Sequence, residues 1–251
     1  PVPCRAEDFG PDVEALAAAV TPKTRALILN SPNNPCGAVY SREDIAAVAA
    51  MLKEASARIG RRIYLIADEP YRFLAYDGIE VPSVLPYYDD AVVISSFAKN
   101  YGMAGERVGY IGVNPAMEGA GLLMDGLIFS NRVLGFVNPP VVGQYIMAEC
   151  LNASTDPALA IYTRRRNMLA DILKDAGYEF TAPRGTFYFM PKAPGGDDKA
   201  FVAKLAESLV LAVPSSGFGY PGYFRLSFAV EDKVIERSAE GFKKAIKDFK
   251  G

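Results

Sequence analysis

Residues 95–112 read SSFAKNYGMAGERVGYIG, and this stretch decides how the rest of the chain is interpreted. An apolar run of strand character, residues 91–94, leads into it, and a second β-rich run, 108–113, follows. Lys99 stands between them in a loop too rich in small residues to be a helix interior, and Arg107 follows eight residues later. Two interpretations fit. Either Lys99 is a solvated lysine and Arg107 is half of an ion pair, or Lys99 is a Schiff-base lysine beside serine hydroxyls and an arginine gathered around a phosphate.

Residues 25–68 predict a β-α-β unit. The run 25–30 is apolar and of strand length, which is typical of a parallel strand covered on both faces. A helix then begins at Ser41, with Asp44 in the position of a capping box. A second buried strand, 63–67, follows, so the two strands are expected to pair in parallel through a right-handed crossover.

Three polar clusters each follow the carboxyl end of a predicted strand. They are Asn33-Asn34, the tetrapeptide Asp68-Glu69-Pro70-Tyr71, and the loop from Ser96 to Lys99. Parallel strands of one sheet place their carboxyl ends along one edge, where open α/β folds bind ligands. We therefore expect one crevice at this edge, lined by Asn34, Asp68, Tyr71, Lys99 and Arg107.

The composition excludes several classes of function. A net charge of −2 offers no basic surface to nucleic acid or to an anionic membrane, and no apolar run is long enough to cross a bilayer. The absence of histidine excludes Ser-His-Asp and Cys-His catalysis and His-based zinc sites. The three cysteines are scattered, which is not the pattern of a disulfide framework or a metal cluster, and a reducing, cytoplasmic location is expected.

The 251 residues are enough for one large or two modest domains, and the pattern favours two. Strands and helices alternate up to about residue 160, and a smaller α+β domain is predicted beyond it. We predict a three-layer αβα domain with a mostly parallel sheet over residues 1–160 and a small domain over 161–251. Further elements are predicted as helices over 116–129, 141–151 (buried), 158–174, 198–209 and 232–250, and as strands over 187–190 and 224–228.

Four motifs resemble the class I/II pyridoxal-phosphate aminotransferases of fold type I, the aspartate aminotransferase superfamily. The family's lysine signature is Ser-x-(Ser/Ala)-Lys, then Gly, then Arg-x-Gly, and this chain fills it with Ser96, Ala98, Lys99, Gly105, Arg107 and Gly109. The turn Asn34-Pro35-Cys36-Gly37 resembles the family's Asn-Pro-Thr-Gly, and Asp68 with Tyr71 resembles its Asp-x-x-Tyr. The run Phe224-Arg225-Leu226-Ser227-Phe228 resembles the family's C-terminal arginine strand, and residues 183–188 resemble a small-domain strand entry of structural character.

This resemblance implies a role for each matching residue. Lys99 would hold pyridoxal 5′-phosphate as a Schiff base and later shuttle a proton. Asp68 would pair with the pyridine nitrogen and keep the ring an electron sink, and Asn34 and Tyr71 would hydrogen-bond the phenolic oxygen. Ser96 and Arg107 would hold the phosphate, and Arg225 would grip the substrate α-carboxylate with two parallel hydrogen bonds. Considered singly, the same motifs also fit a simple turn, a strand-terminal cap and an exposed strand arginine.

The chain also departs from the family pattern. Cys36 replaces a threonine, Ala98 stands where many relatives have a second serine, and the family's N-terminal part is missing. Three functions therefore stay open: an aminotransferase acting on an amino acid and a 2-oxo acid, a carbon–sulfur β-lyase on the same fold, or a truncated non-catalytic fragment. A homodimer is expected, as the resemblance implies. We expect the isolated chain to hold pyridoxal phosphate weakly, because half of the phosphate cup is missing.

Overall fold

A computed structural model describes residues 1–250 of the chain. Two sheets and seven α-helices make up its regular structure, together with three short 3-10 helices. In chain order the elements are α1 (Val13–Ala19), β1 (Ala26–Asn30), α2 (Arg42–Ile59), β2 (Tyr64–Asp68), β3 (Ala91–Ser96), β4 (Gly109–Val113), α3 (Ala120–Val133), α4 (Val141–Cys150), α5 (Asp156–Asp175), β5 (Tyr188–Phe189), α6 (Asp198–Glu207), β6 (Val213–Pro214), β7 (Phe224–Ser227) and α7 (Asp232–Lys250).

The first sheet has the order β1-β2-β3-β4. Strand β1 pairs in parallel with β2, and β2 in parallel with β3, whereas β4 returns antiparallel to β3. The predicted α/β class with a mostly parallel sheet is therefore confirmed. The carboxyl ends of β1, β2 and β3 lie along one edge, and in the register Asn30 stands opposite Asp68, which in turn stands opposite Ile94.

The helix α2 joins the two parallel strands as the sequence predicts. The Ser41 side chain accepts the Asp44 N–H, and the Asp44 carboxylate accepts the Ser41 N–H, so the predicted capping box is confirmed. Gly60 ends the helix in the left-handed region with φ 64°, a conformation that glycine adopts at little cost. The apolar stripe of α2 packs against the side of the sheet that carries Leu29 and Leu65.

Two expectations about burial are wrong. Residues 25–30 were expected to be covered on both faces, but Ile28, on the face opposite to Leu29, is 68% exposed. The helix over 141–151 was expected to be buried, but Tyr145 on α4 is 73% exposed and only Gly143 and Met147 of that helix are buried. An apolar sequence shows that a surface can be covered, but the covering element must come from elsewhere in a chain or assembly.

The second sheet has the order β5-β7-β6, and both of its pairings are antiparallel. It shares one hydrophobic core with α5, α6 and α7, and the fully buried Phe189, Phe201 and Phe224 lie within it. The first sheet has a separate core. Tyr71 and Tyr76, which follow β2, pack into the second core, so the loop after β2 connects the site to the C-terminal region.

Candidate active site

The predicted crevice would begin where β1 and β2 end side by side. The Asn30 side-chain N–H donates to the backbone oxygen of Asp68 at 2.9 Å and to its carboxylate at 3.0 Å. The Asn30 side-chain oxygen accepts the Asn34 N–H at 2.7 Å. Burial raises the pKa of Asp68, which is half-buried. Sequence reasoning missed Asn30, although its position at the end of an apolar strand, level with Asp68, was a usable signal.

The turn 31–37 presents Asn34 to the second sheet. Within this turn the Gly37 N–H donates to the backbone oxygen of Asn33 at 2.8 Å. The peptide bonds Ser31-Pro32 and Asn34-Pro35 are cis. Cys36, in the position of the family's threonine, donates its thiol to the Asn33 side-chain oxygen at 3.0 Å. Burial raises the pKa of Cys36 to about 12. The thiol is therefore neutral near pH 7, and Cys36 supports the turn as a donor rather than acting as a nucleophile.

Arg225 on β7 reaches across to this turn. Its Nη1 donates to the Asn34 side-chain oxygen at 2.9 Å, over a sequence separation of 191 residues. Its guanidinium carbon lies 4.6 Å from the ring centre of Tyr188 and 4.8 Å from that of Phe218. Within residues 1–250 the buried Nε has no hydrogen-bond partner, and no carboxylate forms an ion pair with this arginine. A partly buried guanidinium with an unused, buried Nε donor fits an anionic ligand.

Tyr71 and Lys99 both lie close to one phenylalanine, Phe187. The Tyr71 ring contacts Phe187 edge-on with a centre distance of 5.3 Å, and the Lys99 ammonium lies 5.6 Å from the centre of the same ring. The Tyr71 hydroxyl is 3.4 Å from the hydroxyl of Tyr188, and burial raises the pKa of Tyr71. In the described part of the chain, no carboxylate pairs with the Lys99 amine, so this amine is not already engaged in a salt bridge.

The residues expected at the phosphate are less closely joined. Ser96, on β3, is paired in register with Gly109 on β4. A Cβ at Gly109 would lie 2.7 Å from the Ser95 backbone oxygen, which explains why this strand position carries glycine. Arg107 is exposed, has φ 54°, and donates from Nη1 to the Ala104 oxygen at 3.0 Å. Thus successive contacts connect Asn34, Asp68, Tyr71, Lys99 and Arg225 through their neighbours, but the described contacts do not include one between Ser96 and the Arg107 side chain.

Residues 183–186, here called the crosspiece, connect the turn after β1 and the loop after β2 to the start of β5. The Gly37 oxygen accepts the N–H groups of both Arg184 and Gly185 at 2.9 Å. The Thr186 N–H donates to Leu74 at 3.0 Å, and the Tyr76 hydroxyl donates to the Thr186 oxygen at 2.5 Å. The crosspiece leads directly into Phe187 and Tyr188, so its backbone bonds fix both rings.

Comparison with known proteins places these residues in a family context. The sequence model described as "Aminotransferase class I and II" matches residues 1–242. An aspartate aminotransferase of Thermotoga maritima is 33% identical over 246 residues, which are 97% of this chain and 60% of that protein. The crystal structure of an amino transferase from Eubacterium rectale is similar over 100% of this chain and 62% of its own, with a TM-score of 0.94 and 39% identity. The aspartate aminotransferase of Thermus thermophilus with maleate is similar over 95% of this chain and 61% of its own, with a TM-score of 0.82 and 30% identity. The chain thus spans about 60% of the length of the relatives it matches.

Proposed function

We propose, from the premise that this chain belongs to the class I and II aminotransferase family, that the whole protein is a pyridoxal-phosphate-dependent aminotransferase. It moves an amino group between an amino acid and a 2-oxo acid. The observation that carries the proposal is the arrangement around the crevice: a carboxylate, a phenol and an amine at one edge of the sheet, facing an arginine with an unused buried donor.

The residues present fit the cofactor. Lys99 supplies an amine without a carboxylate partner in the described chain, and amines of this kind attach carbonyl cofactors. Asp68 supplies a negative charge held by Asn30, which suits the pyridine nitrogen. When bound, pyridoxal phosphate supplies an electron sink next to the substrate Cα. The Lys99 amine would then carry the proton that leaves and returns at that carbon.

Other side chains would bind and orient the cofactor and the substrate. Tyr71 and Asn34 offer donors for the phenolic oxygen, and the Tyr71 proton stays in place because burial raises its pKa. Ser96 and Arg107 would hold the phosphate, for which the Arg107 side chain must leave the Ala104 oxygen. Arg225 would bind the substrate carboxylate through its free edge, while Asn34 and two rings hold its other sides.

The domain division and the cellular context belong to the same proposal. We propose a cofactor domain over residues 1–160 and a small domain over 161–251 because most buried residues of the two sheets fall into different hydrophobic cores, although Tyr71, Leu74 and Tyr76 pack into the second core and Met190 into the first. A second copy of the chain is the proposed partner, as the family resemblance implies, and the cytoplasm is the proposed location. Among the described helices, none combines the length and the apolar character that crossing a bilayer requires.

The test is chemical labelling of Lys99. The protein is mixed with pyridoxal phosphate, reduced with borohydride and mapped by peptide mass spectrometry, with Lys99→Arg as the matched control. We expect the pyridoxyl label on Lys99 at cofactor concentrations that leave the other lysines unlabelled, and we expect Lys99→Arg to lose it. Preferential label on another lysine would overturn the assignment. In the whole protein, added amino acid should yield a 2-oxo acid without release of ammonia, whereas ammonia release would indicate the β-lyase.

A further inference from the structure

Tyr188 contacts side chains on both the cofactor side and the substrate side of the proposed site. It is buried on β5. Its hydroxyl lies 3.4 Å from the Tyr71 hydroxyl, and its ring centre lies 4.6 Å from the Arg225 guanidinium carbon. One side chain therefore contacts the phenol on the cofactor side and the cation on the substrate side.

The contact with Arg225 has a clear physical purpose. Within residues 1–250 this guanidinium has no carboxylate partner, and its Nε is buried without a hydrogen bond. The negative faces of aromatic rings attract such a cation, and they do so most strongly where water is excluded. Tyr188 and Phe218 lie at 4.6 Å and 4.8 Å from the guanidinium carbon, while the Asn34 side chain takes one donor. These three contacts fix the guanidinium, and within residues 1–250 its buried Nε donor stays without a partner.

The contact with Tyr71 serves the other half. The Tyr71 ring meets Tyr188 and Phe187 edge-on, with centre distances of 5.9 Å and 5.3 Å, so its direction is set by packing. A phenol that donates to a ligand can accept a hydrogen bond at the same oxygen, and the two bonds strengthen one another. The Tyr188 hydroxyl is placed to donate that second bond.

The backbone around Tyr188 is well anchored. Its N–H donates to the Thr186 hydroxyl at 3.2 Å, and β5 pairs Tyr188 with Ser227 on β7. Thr186 is fully buried, and the crosspiece hydrogen bonds hold it against Leu74 and Tyr76. A ring held on a paired strand by several backbone bonds is a precise support for its neighbours.

We propose that Tyr188 is a positioning residue: its ring holds Arg225 ready for a carboxylate ligand, and its hydroxyl orients Tyr71. This inference rests on the proposed function for the identity of the ligand, a 2-oxo or amino acid. The two contacts themselves are properties of the chain without cofactor, so they can be tested separately.

The experiment uses NMR of the 251-residue chain without cofactor. The Arg225 Nε resonance is assigned by its loss in Arg225→Lys, and the Tyr71 ring resonance, from tyrosine labelled at Cζ, by its loss in Tyr71→Phe. Tyr188→Phe removes the hydroxyl and keeps the ring, whereas Tyr188→Leu removes both. Tyr178→Phe is the matched control, because Tyr178 is also buried and its hydroxyl donates to Phe242 at 3.0 Å, in the second core.

We expect the two variants to separate the two contacts. Tyr188→Phe should shift the Tyr71 resonance and leave the Arg225 resonance in place, whereas Tyr188→Leu should shift both and Tyr178→Phe neither. Pyruvate, used as the carboxylate probe, should shift the Arg225 resonance, and its affinity should fall about tenfold in Tyr188→Leu but less than twofold in Tyr188→Phe. Phe218→Leu, at a position that is 40% exposed, should give a similar loss without risk to the fold.

Several results would overturn the inference. One is an Arg225 resonance that does not move in Tyr188→Leu or, if that variant does not fold, in Phe218→Leu. Another is a Tyr71 resonance that does not move in Tyr188→Phe, and a third is an Arg225 resonance that does not respond to pyruvate. Labelling of Lys99 combined with any of these results would refute the role of Tyr188 and leave the proposed function standing. If the expected shifts are seen but Lys99 is not preferentially labelled, the role of Tyr188 stands and the proposed function is refuted.

Discussion

Replacing Gly185 by alanine should strongly destabilise the protein, because the crosspiece has no room for a methyl group. The new Cβ would lie 2.6 Å from the Pro32 Cβ, 2.8 Å from the Leu74 backbone oxygen and 3.0 Å from the Val39 Cγ2, whereas ordinary contacts begin at 3.4 Å. A proline ring and a backbone carbonyl cannot rotate away, so the crosspiece itself must move.

The magnitude follows from what that movement disturbs. Overpacking in a dense interior costs about 1–3 kcal/mol. The movement also lengthens the hydrogen bonds from Gly185 to Gly37 at 2.9 Å and from Thr186 to Leu74 at 3.0 Å, and each such bond contributes about 0.5–1.5 kcal/mol. We therefore expect Gly185→Ala to lower the free energy of unfolding by about 2–6 kcal/mol.

Urea unfolding followed by circular dichroism measures this loss, and α3 offers a matched control. A Cβ at Gly126 meets nothing within 4 Å, and Gly126 is an exposed residue inside that helix. Gly126→Ala should therefore stabilise the protein by about 0.5–1 kcal/mol, through helix propensity. The reasoning fails if Gly185→Ala costs less than about 1 kcal/mol, the low end of the overpacking range, or if the two alanine variants unfold at the same urea concentration.

Two further predictions concern charged side chains. Asp68→Asn should raise the melting temperature at pH 7 and leave it unchanged below about pH 4. Burial raises the pKa of Asp68, so the folded state loses stability as pH rises through that pKa, and asparagine avoids this loss. A gain in melting temperature that is as large at acid pH would contradict the prediction. Arg166→Ala should lower the free energy of unfolding in urea by about 1.5–3 kcal/mol. The Arg166 side chain is only 11% exposed, and the variant loses its hydrogen bonds to Asp77 at 2.8 Å and 3.0 Å and its contact with the Tyr76 ring at 4.6 Å. The control Arg164→Ala removes an arginine that is 57% exposed, and Asp232 still pairs with Arg165, so the loss of free energy of unfolding should stay below about 1 kcal/mol. Equal losses for the two variants would show that burial does not determine how much each ion pair contributes to stability.

The sequence predicts local structure well where the cause is local. The capping box of Ser41 and Asp44 needs only residues three apart, and the parallel pairing of β1 with β2 follows from a helix of suitable length between two apolar runs. Burial was predicted less well. Ile28 and Tyr145 are apolar, yet their exposure depends on which surface lies opposite them, and a pattern within one element carries no information about that surface.

The candidate site divides along the same line. Lys99, Asp68, Tyr71 and Asn34 follow strand ends, so the topology of a parallel sheet was enough to expect them at one edge. The contact from Asn34 to Arg225 spans 191 residues and joins the two sheets, and no spacing rule predicts it. Arg225 was predicted from the family resemblance instead. A family motif identifies a site residue, but it does not show which residues that side chain contacts.

Tyr188 shows what such a pattern leaves out. In the sequence it belongs to a strand entry, and its neighbours Phe187 and Phe189 make it one more aromatic residue of a core. Its importance arises only after folding, when its ring meets a cation from β7 and its hydroxyl meets a phenol from the loop after β2. A residue that connects two functional groups without binding a ligand has no chemical signature of its own. It is recognised by the buried Nε of Arg225, which has no hydrogen-bond partner within residues 1–250, because a partly buried cation without a counter-ion there requires some other support.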